Sequence, residues 1–165
     1  ICIPGTPDCA RCPLQGQCDA YAQEDADLLP LRAAAKPPVP VPVGVALVTC
    51  GNRVLLQQRE AALLRGLWVF VLNEGDDTRQ SLQKKLKSMG LAAEFRADLG
   101  EARHIFTHRI WNMRLYHFEA AQRVSLKNAQ WADSEQLNAL PLPTAMKKAR
   151  QEAARLLKLK GDAPC

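Results

Sequence analysis

The 165-residue sequence predicts an α+β protein in which a cysteine-rich loop and a linker precede one mixed domain. Three observations lead there. Four of the six cysteines crowd into the first 18 residues. Two apolar runs flank Gly51-Asn52, a dipeptide suited to the positive φ of a tight hairpin turn. Leu82, Leu86 and Met89 then recur at helical spacing, and the whole order reads ββ, strand, α, β, β, α.

The first segment, residues 1–21, runs ICIPGTPDCARCPLQGQCDAY. Residues 22–42 follow with acidic residues, an alanine run and several prolines. Prolines lack an amide donor and fix φ, so this stretch reads as a semi-rigid linker, with the domain boundary near Val41–Val43. Residues 43–165 begin with the hairpin VGVALVTCGNRVLLQQR. GLWVFVL is a short buried strand, in which Trp68 and Phe70 are core residues. Asp76-Asp77-Thr78 offer helix caps and Gly90 a stop, which predicts a helix over about 78–89. Arg96–Phe106 and Trp111–Ala120 are strands joined by a turn near Thr107–Ile110, with Trp111, Met113 and Leu115 on one core-facing side. Trp131 sits in a further strand. PLPTAMKKARQEAARLLKLK ends the chain as an amphipathic helix to about Lys160, its lysines and arginines a solvated face.

Composition bounds the function. A hydrophobic fraction of 47% is enough for a core and excludes a disordered chain. No run approaches the roughly 18 uncharged apolar residues of a membrane span, and no secretory signal opens the chain, so a cytoplasmic protein without a membrane partner is expected. Residues 1–42 hold 3 of the 22 basic and 5 of the 17 acidic residues, leaving 19 and 12, a formal +7, in residues 43–165. That excess suits a polyanion such as nucleic acid, because neutralising phosphates releases counterions.

The cysteines are spaced Cys2-x6-Cys9-x2-Cys12-x5-Cys18. A pair two residues apart can bite one metal centre, and two more thiolates complete a four-sulfur shell. Only one close pair is present, which favours an iron–sulfur cluster over zinc; disulfides or free thiols are the alternatives.

With Pro13 after the third cysteine, this run resembles the [4Fe-4S] loop of the endonuclease III and adenine DNA glycosylase (MutY) superfamily. The resemblance implies Cys2, Cys9, Cys12 and Cys18 as cluster ligands. It also implies that the start at Ile1 falls inside the end of a helix-hairpin-helix glycosylase domain. The catalytic carboxylates would then lie upstream, with no catalytic residue in these 165 and no glycosylase activity in them alone. Endonuclease III-like enzymes stop soon after the last cysteine. A chain that continues 147 residues past Cys18 is therefore similar to the MutY branch, whose second domain is Nudix-like.

An active Nudix hydrolase carries glutamates on one helix to hold divalent cations. Matching that motif's closing glycine to Gly90 puts Gln83, Lys84, Lys87 and Ser88 where an arginine and three glutamates belong. Lysine cannot ligate magnesium, so a binding module is expected, not a pyrophosphohydrolase. Leu67-Trp68-Val69-Phe70 and Phe106-Thr107-His108 resemble the Leu-Trp-x-Phe segment and the Phe-Ser-His lesion loop of MutY second domains. The three histidines, His104, His108 and His117, fall in this region with Arg103, Arg109 and Arg114. The resemblance implies Phe106 as a wedge beside the base pair, Thr107 as reader of a base edge, and His108 and Arg109 as further DNA contacts.

The sequence is thus read as an iron–sulfur loop (1–21), a linker (22–42) and a Nudix-like 8-oxoguanine recognition domain (43–165). The implied partner is double-stranded DNA carrying an 8-oxoguanine:adenine mispair, bound by a nucleoid-associated monomer. The loop Ile3–Asp8 carries no positive charge, so contact with DNA through it is not expected. The alternative is a stand-alone metal-binding protein with a catalytically dead Nudix-like nucleotide-binding domain.

Overall fold

The computed structural model describes residues 1–31 and 36–160, without the Lys160 side chain. Residues 32–35 of the expected linker lie outside the described residues. The chain divides into two compact units with the boundary after Pro37.

The first unit is built from turns. One-turn 3-10 segments at Cys9–Arg11 and Gln15–Gln17 precede a short helix, α1 (Asp19–Ala22). Asp8 N–H donates to the Ile1 carbonyl at 2.9 Å, and Cys12 N–H to the Cys9 carbonyl at 3.1 Å. None of the described residues of this unit is buried, so no hydrophobic core holds it.

The second unit is a seven-stranded sheet in which β3-β2-β1-β6-β5 form the main path, with β4 added to β1 and β7 to β2. The strands are β1 (Val39–Cys50), β2 (Arg53–Gln58), β3 (Trp68–Val69), β4 (Val71–Glu74), β5 (Ala93–Ile105), β6 (Arg109–Ala120) and β7 (Ala129–Ala132). Among the described residues only β1 and β6 pair in parallel; the other pairings are antiparallel. β1 is central, and all its residues from Val43 to Cys50 are buried, as expected of a strand covered on both faces.

The sheet separates two apolar layers. On one face Val45, Leu47, Phe70, Trp111, Met113 and Leu115 pack with Leu137 of α3 (Ser134–Ala139) and with Ala149 and Ala153 of α4 (Lys147–Lys160). On the other, Ala46, Val48, Leu55, Tyr116 and Phe118 pack with Leu82 and Leu86 of α2 (Arg79–Ser88). Alternate residues of β1 and β6 serve opposite layers, which is the strand period of two. Thr78 caps α2, accepting from Ser81 N–H at 3.3 Å, and Gly90 leaves it at φ 78°. Gly44 lets α2 approach, since a Cβ there would stand 3.0 Å from Leu82 Cδ1.

Several boundaries differ from expectation: β5 begins at Ala93 and not Arg96, and β6 at Arg109 and not Trp111. β1 begins at Val39, inside the proline stretch read as linker. Val39 N–H donates to the His108 carbonyl at 3.1 Å, so the odd-numbered residues turn their amides toward β6. Pro40 and Pro42 face the other edge, where no donor is required of them, and the Pro42 carbonyl accepts from Gly75 N–H at 2.8 Å. The expected GLWVFVL strand is split at Phe70 into β3 and β4, which pair with β2 and β1 respectively. α3 is additional to the expected elements, and a capping box between Asp133 and Gln136 starts it.

Candidate functional site

The longest hairpin in the sheet, β5–β6, ends in the tip Phe106-Thr107-His108. Phe106 N–H donates to the Arg109 carbonyl at 2.8 Å, closing it. Thr107 and His108 are exposed. Phe106 is half-buried: its ring stands edge-on to Trp111 at 5.1 Å and to His104 at 4.6 Å between centroids. The structure therefore presents a hydroxyl and an imidazole outward, while the ring assigned as a wedge leans on the core.

Arg109 is also engaged. Its Nη1 lies 3.4 Å from Glu74 Oε2, and the other Glu74 oxygen pairs with Arg59. Arg59 is nearly buried, donates Nε–H to the Leu63 carbonyl at 2.6 Å, and places its guanidinium 5.2 Å from the centre of the Trp111 ring. Lys85 reaches the Leu72 carbonyl from α2. Burial and the nearby Arg59 charge hold its ammonium below the ordinary lysine range, against the opposing pull of Glu74. One carboxylate thus serves two arginines in a region where a third cation is half-buried.

Of the other residues grouped near the tip by sequence, Arg103 is exposed. Arg114 pairs with Asp98 at 2.9 Å. His117 belongs to the core: it is 6% exposed and shares a 2.8 Å hydrogen bond with Thr49 Oγ1. Its neighbours in sequence misrepresented it, because β6 carries it well away from the tip. Glu74, which joins Arg59 and Arg109 across the fold, had no local signal.

α2 exposes Gln83, Lys84, Lys87 and Ser88, and its ten residues include no carboxylate. The face that carries glutamates in a Nudix hydrolase is cationic here, so divalent metal has no oxygen cage on this helix. On α4, Lys148 donates to the Glu101 carbonyl at 2.6 Å and Arg150 to the Asn138 carbonyl at 2.9 Å, so part of its basic face is used internally.

In the first unit Cys2, Cys9, Cys12 and Cys18 line one cavity of about 410 Å³ together with Ile1, Ile3 and other apolar side chains. All four are free thiols. The Cys9 thiol is pushed up by desolvation and then by the charges of Cys12, Cys18 and Cys2; deprotonating the set calls for a cationic group between them. Among the described residues, no three His, Cys, Asp or Glu side chains stand close enough together to hold a single metal ion. Arg11, the loop's basic residue, is exposed and lies 3.6 Å from Asp8. No helix among the described residues is long and apolar enough to cross a membrane.

The model of the NUDIX domain matches residues 44–152. The second unit is similar to several solved structures. The solution structure of the E. coli ORF135 protein matches at TM-score 0.55 and 22% identity, over 73% of this chain and 92% of that one. The MutT protein from Methanosarcina mazei Go1 matches at TM-score 0.60 and 13% identity, over 74% and 99%. The C-terminal domain of mouse MUTYH, solved in complex with human PCNA, matches at TM-score 0.56 and 23% identity, over 76% and 94%. Identities this low establish a shared fold.

Proposed function

The chain belongs to the NUDIX domain family, and from that premise we propose that its domain is a recognition module of a MutY-type adenine DNA glycosylase and not a pyrophosphohydrolase. The observation that carries this reading is α2, which keeps the family's helix and its Leu82–Leu86 core contact but presents lysine where metal-binding carboxylates belong. A fold without its metal cage still offers a surface for binding, and the β5–β6 tip exposes Thr107 and His108 on it.

In this reading Thr107 and His108 inspect the base opposite the target adenine, which is 8-oxoguanine. A hydroxyl can donate to or accept from an altered base edge, and an imidazole can bond a base or a phosphate. The full enzyme hydrolyses the adenine N-glycosidic bond after the adenine leaves the stack; the carboxylates for that step are not among the residues assigned here. The mouse MUTYH domain supports the reading as a structural neighbour from a protein of that kind.

The four thiols fit an iron–sulfur group by donor chemistry. They share the wall of one cavity, and four thiolates are the donor set that a multi-iron cluster takes. Cys2, Cys9, Cys12 and Cys18 would hold it, and it would supply a rigid cross-link among the turns of the first unit. The experiment for this assignment is iron and labile-sulfide analysis with visible absorption of the anaerobically purified chain. About four irons per chain and a brown colour are expected; stoichiometric zinc in colourless protein would replace the cluster by a single-metal site.

A further inference from the structure

We propose that Glu74 is the positioning residue of the β5–β6 tip, fixing Thr107 and His108 by anchoring Arg109 while Arg59 and Trp111 anchor Phe106. This rests on the recognition reading and redistributes its roles. Phe106 and Arg109 become the two fixed posts of the tip, and the reading groups are the two residues between them.

The connectivity is specific. Glu74 ends β4, whose register sets it opposite Val43 of β1. Arg109 begins β6, on the other side of β1, opposite Val39. Glu74 therefore reaches past the central strand, and its two oxygens divide between Arg109 and Arg59. Arg59 stacks on Trp111 and Trp111 meets Phe106 edge-on, so one carboxylate is coupled to both ends of a two-residue exposed tip. Backbone bonds close the tip, with Phe106 N–H donating to the Arg109 carbonyl and Val39 N–H to the His108 carbonyl. The Thr107 and His108 side chains take part in no hydrogen bond among the described residues, so their placement follows the posts on either side. The side chains of Glu74 and Arg109 are 26% and 36% exposed, which shields the pair from part of the solvent screening that weakens fully exposed pairs.

Direct contact and anchoring are separated at Glu74 by selectivity. If Arg109 touches phosphate, Glu74→Gln frees it and adds positive charge, tightening binding to every duplex. If Arg109 is a post, the same change loosens the tip and removes selectivity while leaving general affinity intact or higher. The test uses the full chain with Glu74→Gln, Arg109→Met, Arg109→Lys and Thr107→Ala/His108→Ala. Amide NMR reads the order of Thr107 and His108. Affinities for a duplex with 8-oxoguanine opposite adenine, and for its guanine counterpart, give the preference.

Glu74→Gln is expected to shift and broaden the Thr107 and His108 amides but not those of Leu82 and Ala153, and to lower the preference about threefold or more without weakening guanine-duplex binding. Arg109→Met does the same, and Arg109→Lys recovers most of the preference because an ammonium still reaches Glu74. Unchanged tip amides in Glu74→Gln overturn the proposal, as does uniform weakening on both duplexes in Arg109→Met with an undisturbed tip. If Glu74→Gln does not fold, Arg109→Met decides, since it leaves the Glu74–Arg59 pair in place. A preference that survives Thr107→Ala/His108→Ala sinks the recognition reading, while the tip amides still decide whether Glu74 anchors.

Discussion

The Phe106 ring stands edge-on to Trp111, with centroids 5.1 Å apart and planes at 75°. A residue assigned to DNA by its motif thus also belongs to the packing that supports the tip. Phe106→Ala is expected to cost about 2 kcal/mol of unfolding free energy, less than a fully buried phenylalanine because the ring is half-exposed. His108→Ala, at an exposed position, is expected to stay within about 0.5 kcal/mol of wild type. Urea unfolding of both variants checks the contrast; equal costs would mean that the ring contributes no support.

Gly44 is held by space and not by backbone angle, since its missing Cβ would meet Leu82 Cδ1 and Cγ at 3.0 Å and the Asp76 carbonyl at 3.3 Å. Gly44→Ala is expected to destabilise by about 1–3 kcal/mol through overpacking beneath α2. Pairing it with Leu82→Val should recover part of the loss, because the change removes the Cδ1 contact but leaves a γ-carbon and the Asp76 carbonyl in place. Full additivity of the two changes in denaturant titration would refute this account.

These elements show how far the sequence could be read. α2 was legible because its cap, its Leu82–Leu86 spacing and Gly90 are local signals. The start of β1 was not, because Pro40 and Pro42 look like linker until the parallel register with β6 shows that their missing amides face away from it. The split at Phe70 follows from which neighbour each half finds, information that lies outside the segment. At the site, the exposed Thr107 and His108 came from the motif, whereas the Glu74–Arg109 pair joins residues 35 positions apart. His117 looked like a member of the tip only by its nearness in sequence.

Asp98 carries a pH signature. Its carboxyl is held below the ordinary range first by the Gly100 N–H, which donates at 2.9 Å, and then by Arg114. The folded state thus favours the ionised form, so the contribution is complete above the unfolded value of about 3.9 and is lost as pH falls through the lower folded value. Asp98→Asn is expected to narrow its stability deficit relative to wild type as pH drops below about 4. Stability measured at several acidic pH values checks this; a constant deficit would detach Asp98 from the acid response.

The first unit lacks any buried described residue, so its order should depend on what its thiols hold. Replacing Cys9 and Cys12 with serine is expected to make residues 1–31 readily cleaved by protease. The second unit should keep its own unfolding transition, because its core is its own. Limited proteolysis with mass spectrometry reads both, and an intact first unit in the serine variant would show that packing alone holds it.

The α2 surface predicts that magnesium or manganese will not elicit pyrophosphate release from nucleoside triphosphates, since Lys84, Lys87 and Ser88 offer no carboxylate ligands. A metal-dependent turnover that survives exhaustive purification would return the domain to the hydrolases of its family.

The most direct measurement of the central claim is the affinity of the chain for one duplex carrying 8-oxoguanine opposite adenine against the same duplex carrying guanine, for wild type and for Thr107→Ala/His108→Ala at fixed salt. Wild type is expected to bind the lesion duplex more tightly, and the variant to bind both duplexes alike with guanine-duplex affinity little changed. Equal binding by wild type, or a preference that the double variant retains, would contradict it.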